Sequence, residues 1–135
     1  MIGDHFVSKC LNSTTMNDPW PHQYIEDTLP QDEFLKLQEQ CRNINVPKDK
    51  LVAIHPYDFA DHNIKFYDQL YDISQKCLSN ARELCEQYPN HRWYNKLDVN
   101  CHISITPPLP YKFYIHMEGL EKIWSSVTYI TPEEN

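Results

Sequence analysis

The hydrophobic period of this chain changes once, and that change limits what it can fold into. From about Asn63 to Tyr88 apolar side chains recur at steps of three and four. From Leu97 to Thr106 they recur at every second position. The first spacing suits one face of a helix with 3.6 residues per turn, and the second suits one face of a pleated strand. A chain carrying both has to bury a helical stripe against the apolar side of a sheet, which predicts an α+β fold.

The predicted helix over 63–88 buries Ile64, Tyr67, Leu70, Ile73 with Ser74, Cys77, Ala81, Leu84 and Tyr88, and Pro89 stops it. At about 1.5 Å per residue it would be roughly 39 Å long. In LDVNCHISIT (97–106), Leu97, Val99, Cys101, Ile103 and Ile105 alternate with polar residues, as in a half-buried antiparallel strand. A second helix is expected over LPQDEFLKLQEQCRNI (29–44), with Pro30 in its first turn. Asp32 and Glu33 sit at the positive end of its dipole, and Phe34, Leu37, Cys41 and Ile44 form its buried stripe. Short strands are expected at WPHQYIED (20–27), an edge strand because of Pro21, and at LVAI (51–54) before the turn-rich HPYDFADH. After the break at TPPLP, YKFYIHME returns to extended structure and KIWSSVTYI (122–130) makes a further strand. LNSTTMND (11–18) reads as a loop, and the ten prolines mark joints.

With 135 residues, 41% hydrophobic and 13% aromatic, the chain suits one packed domain over 1–135. Its net charge is −7 and it has no Lys/Arg run. Nucleic acid is therefore not expected as a partner, because it demands a clustered basic surface, and an anionic membrane is disfavoured. No apolar leader core opens the chain and no stretch approaches the ~20 apolar residues of a membrane span. The five cysteines are odd in number and lack CxxC spacing, which suits reduced, mostly buried thiols in the cytoplasm.

Glycine occurs only at Gly3 and Gly119, so neither GxGxxG nor a P-loop can be written, and no GxSxG elbow occurs. His55 and His62 read as solvated loop histidines, His91 belongs to a connection anchored by Trp93 and Tyr94, and His5 and His22 require no special role. The pair His116 and Glu118 differs. In a strand, positions i and i+2 share a face, so these two point together with Tyr114 and Lys112, while Phe113, Ile115 and Met117 face the core. Imidazole and carboxylate on one face can chelate a divalent ion. A second histidine would complete the facial triad that leaves three positions of Fe(II) open.

The run IHMEGLEKIWSSVTYITPEEN (115–135) resembles the metal-binding core of the iron(II)/2-oxoglutarate-dependent oxygenases, most of all the small phage-encoded members. There HxD or HxE is followed by a lysine opening a KIWSxVTYL-like strand and by a Pro-Glu-x-Asn turn. In this chain these are His116 and Glu118, then Lys122 to Ile130, then Pro132 to Asn135. The DPWPHQYIEDTLP start (18–30) is loosely similar to the family's entry segment.

The resemblance implies N-terminal helices packed on a double-stranded β-helix, or jelly roll. It implies Fe(II) held by His116 and Glu118, with 2-oxoglutarate and O₂ as cosubstrates. Tyr114 would border the 2-oxoglutarate pocket, and Asn100, His102 and Ser104 could line the same cavity. The activity implied is hydroxylation of a small molecule or a protein side chain. The family's second histidine and its 2-oxoglutarate-binding Arg or Lys follow downstream and have no counterpart in this sequence. The expectation is therefore an incomplete jelly roll truncated at its C-terminus, inactive alone, completed by a partner chain or a homodimer, and located in the cytoplasm (of the host, for a phage product). The alternative is a non-catalytic jelly-roll or β-sandwich interaction module, such as a virion component. A cupin-like metal-binding protein or isomerase is a third reading.

Overall fold

The computed structural model describes residues 1–45, 49–87, 96–106 and 125–130. Among these residues, three helices, α1 (Ile2–Leu11), α2 (Gln31–Arg42) and α3 (Tyr67–Glu86), surround one antiparallel pair of strands, β1 (Val52–Ile54) and β2 (Ile103–Ile105). Two 3-10 turns, Pro56–Asp58 and Ala60–His62, link β1 to α3. The class is α+β, as the two periods require.

Helix α2 begins one residue after Pro30, whose carbonyl accepts the first helical bond from the Phe34 N–H at 2.9 Å. Proline suits this junction because it has no N–H to leave unpaired. Asp32 and Glu33 occupy the first turn and Arg42 the last, which favours the helix dipole at both ends. Leu37 is buried, and Phe34, Cys41 and Ile44 pack beside it, as their spacing predicts. Gln38 is buried as well. Its amide nitrogen donates to the Ile130 carbonyl and its oxygen accepts from Arg42, so both ends are satisfied.

Helix α3 has 20 residues, shorter than the 63–88 expected from sequence. Its start is delayed because Asn63 takes a left-handed conformation (φ 56°) that closes the second 3-10 turn. At about 30 Å it still spans the core. Ile73, Ser74 and Cys85 are buried, and Leu70 and Cys77 pack against the core. Tyr67 and Leu84, expected on that stripe, are exposed. Periodicity identifies a helix face but says nothing of how far the neighbours that cover it extend. Tyr88 lies outside the described residues.

Helix α1 is an element that the sequence pattern does not announce, because ten residues at a chain start are read for a leader rather than for a stripe. Its signal is Ile2, Phe6 and Cys10 at steps of four, all packed on the core. It docks on α3 through Gly3, where a Cβ would come within 2.6 Å of both the Asp72 carbonyl oxygen and Lys76 Cγ. The Gly3 N–H, one of the first-turn donors left without an intrahelical acceptor, donates to Asp72 Oδ2 at 2.7 Å. Beside it, Asp4 and Lys76 form an ion pair at 3.0 Å.

Among the described residues, two expected strands are not found. Residues 20–27 hold only an isolated bridge, in which Met16 and His22 exchange two backbone bonds of 2.8 Å. Trp20 and Tyr24 are exposed, so alternation there lacks a buried face to serve. Residues 125–130 form no ladder among the described residues. Val127 is 73% and Tyr129 82% exposed, and only Ile130 reaches the core. The expected strand over 97–106 shrinks to Ile103–Ile105, although burial still alternates along all ten residues. The expected extended structure at 111–118 lies outside the described residues, as do 122–124.

The core comprises Phe6, Leu29, Leu37, Ile54, Phe59, Ile64, Phe66 and Ile73. Its deepest members are Ile54 at 1% and Phe59 at 2% exposure. Phe59 comes from the turn-rich segment, and its carbonyl accepts from the Ile64 N–H at 2.9 Å. Phe59→Ala is expected to cost about 3–5 kcal/mol in urea unfolding, as for buried aromatics generally. Gly3→Ala is expected to cost about 1–3 kcal/mol, because the Asp72 backbone cannot retreat as a side-chain tip could. Leu84→Ala, at an exposed position, should shift the midpoint little.

Candidate functional site

The residues with the sharpest chemical signal in the sequence, Tyr114, His116 and Glu118, lie outside the described residues. Asn100, His102 and Ser104 are exposed, and the residues between and beside them (Val99, Cys101, Ile103 and Ile105) are half-buried. The polar face expected of this segment is therefore present.

The ladder pairs Val52 with Ile105, Ala53 with Ser104 and Ile54 with Ile103. One step beyond, the same register sets His55 opposite His102, on the outer face shared with Ala53 and Ser104. Their ring centroids are 5.4 Å apart with planes tilted by 47°. Tyr57 stacks on His55 at 5.3 Å with planes within 6° of parallel. His55 therefore has a cross-strand partner, unlike the solvated loop residue its sequence context suggests. His62 is exposed on the second 3-10 turn and does not join them.

Two other histidines are structural ties. His5 Nε2 donates to the Asp27 carbonyl at 2.7 Å, and His22 Nδ1 donates to the Trp20 carbonyl at 2.7 Å. A carbonyl only accepts, so each bond requires the proton on the named nitrogen. Among the described residues, no three His, Cys, Asp or Glu side chains gather as a metal-binding group. Two surface clefts of about 420 Å³ flank α3, one beside Gln75, Ser79, Arg82 and Glu86, the other between α1 and α3. Neither contains a residue singled out from sequence.

All five cysteines are free. Cys10 from α1 and Cys101 from the approach to β2 both lie near enough to Cys77 on α3 to act on its thiol. Ser74 Oγ, which donates to the Leu70 carbonyl at 2.7 Å, lies 3.1 Å from Cys101 Sγ. Burial pushes the Cys77 thiol up from 9.0 to about 11, with Cys10 and Cys101 adding to the rise. Burial also raises Cys10 and Cys41. A thiol held protonated is a poor nucleophile, so the raised Cys10 and Cys77 suit packing between α1 and α3.

On the polar side of the α1–α3 junction, the Lys76 ammonium holds the Asp4 carboxyl below its usual value, and Asp4 raises Lys76 in turn. Among the described residues, no helix is long and apolar enough to cross a membrane. No family model matches the chain, and no curated protein or solved structure is similar enough to match it.

Between pH 9 and about 11 the unfolded chain releases the Cys77 proton first, so folding stability falls as pH rises through that window. Urea midpoints should be lower at about pH 10 than at about pH 8. Cys77→Ala should lessen that fall, whereas an equal fall in both proteins would assign it to other groups.

Proposed function

We propose that this chain is an iron(II)/2-oxoglutarate-dependent oxygenase domain in which His116 and Glu118 are metal ligands. The observation that carries the proposal is the run IHMEGLEKIWSSVTYITPEEN, where an HxE pair stands ahead of a Lys-led apolar segment and a Pro-Glu-x-Asn turn. The finer architecture that goes with this reading is the helix-covered jelly roll of that family. An α+β chain with helices around an antiparallel pair is compatible with it.

The donor set suits the ion. A neutral imidazole and an ionised carboxylate are two of the three ligands of a facial triad, which favours Fe(II) over metals that prefer thiolates. Bound iron(II), with 2-oxoglutarate and O₂, supplies oxidation of a substrate C–H bond. The contribution of His116 and Glu118 is to hold two donors together and leave other positions free. Tyr114 would border the cosubstrate. The third ligand and the basic residue for the far carboxylate of 2-oxoglutarate are assigned to no position among the 135 residues. The substrate is a small molecule or a protein side chain.

The test is anaerobic Fe(II) titration of the full chain, with and without 2-oxoglutarate. His116→Ala and Glu118→Ala are each expected to weaken binding by at least an order of magnitude, as loss of one of few ligands should. If neither variant changes Fe(II) affinity, the oxygenase assignment of this segment fails and the non-catalytic interaction module takes its place.

A further inference from the structure

We propose that His55 and His102 form a cross-strand site for a divalent late transition metal, clamping the end of the β1–β2 ladder. Its two donors are other residues than the proposed iron ligands His116 and Glu118.

The argument begins with register. Residues directly opposite on one face of an antiparallel pair hold their Cβ atoms about 4.5–5.5 Å apart, within reach of a shared ion. Two imidazoles bound to one metal at about 2.0–2.1 Å, with a bond angle between tetrahedral and octahedral, place their ring centroids about 4.5–5.2 Å apart. The observed 5.4 Å differs from that range by less than a small side-chain rotation would supply. The 47° tilt lets one nitrogen of each ring turn toward a common point without the rings colliding.

The surroundings favour the same assignment. Among the described residues neither imidazole has a hydrogen-bonding partner, whereas His5 and His22 both have one. Tyr57 stacks on one face of the His55 ring and leaves its in-plane nitrogens open to a ligand. His102 is exposed, which leaves room for the waters that fill the remaining coordination positions.

The ligand class follows from the donors. Neutral imidazole suits Ni(II), Cu(II) and Zn(II) and discriminates against Mg(II) and Ca(II), which take oxygen. The consequence is structural. A ladder of three residue pairs is marginal by itself, and an ion joining its two strands closes the long chain segment between them.

Ni(II) is the probe, since it neither oxidises thiols nor prefers them as Cu(II) and Zn(II) do. The full chain carrying His116→Ala and Glu118→Ala is titrated with Ni(II), following heat and the broadening of histidine Cε1–H resonances by the paramagnetic ion. The expected result is that His55 and His102 signals broaden first and together, and that Ni(II) raises the thermal midpoint. Adding His102→Gln, an exposed change that should leave the circular dichroism spectrum intact, is expected to weaken binding by an order of magnitude or more. His55→Gln should do the same. Unchanged Ni(II) affinity in the His102→Gln chain overturns the proposal, as does prior broadening of any other histidine.

Discussion

The structure rests on burial of the inner face of a very short strand pair. A two-stranded ladder of three residue pairs is too small to persist in water. It persists in this chain because Val52, Ile54, Ile103 and Ile105 face a core built by α1, α2, α3 and the Phe59 turn. That burial also decides register. A slip of one residue by β2 would turn Ile103 and Ile105 outward and bring Ser104 and His102 inward, and a slip by β1 would turn Val52 and Ile54 outward and bring Ala53 and His55 inward. The placement of His55 beside His102 is thus an indirect product of hydrophobic burial on the other side of the same strands.

Much of this is legible in the sequence where burial and local period coincide. Helices α2 and α3 and the alternation through 97–106 have enough periodic apolar positions to reveal a face, and β1 coincides with the short apolar run LVAI. Pattern misleads where it has nothing to pack against. Trp20, Tyr24, Val127 and Tyr129 have strong strand propensity, yet each is exposed and no described ladder includes them. Phe59 misleads in the opposite direction. It sits among turn formers, so its role as a core anchor depends on how two successive 3-10 turns carry it inward.

The functional signal divides in the same manner. His116 and Glu118 stand out in the sequence because an HxE spacing would set both side chains on one face if the segment were extended. The pairing of His55 with His102 has no such local mark, since the two are distant in sequence and meet only when β1 and β2 align. Sequence spacing therefore leaves His55 as a loop histidine beside His62, and the fold sets it beside His102.

The α1–α3 junction has a consequence for how the molecule opens. The amide of Gly3 is protected by a carboxylate on another helix, not by the backbone of its own. Its exchange with solvent hydrogen therefore reports separation of α1 from α3, whereas amides deeper in α1 report unwinding of the helix itself. The two rates need not agree. If Gly3 exchanges faster than the interior of α1 does, the first helix leaves the body intact, as a lever hinged on the segment that follows Leu11.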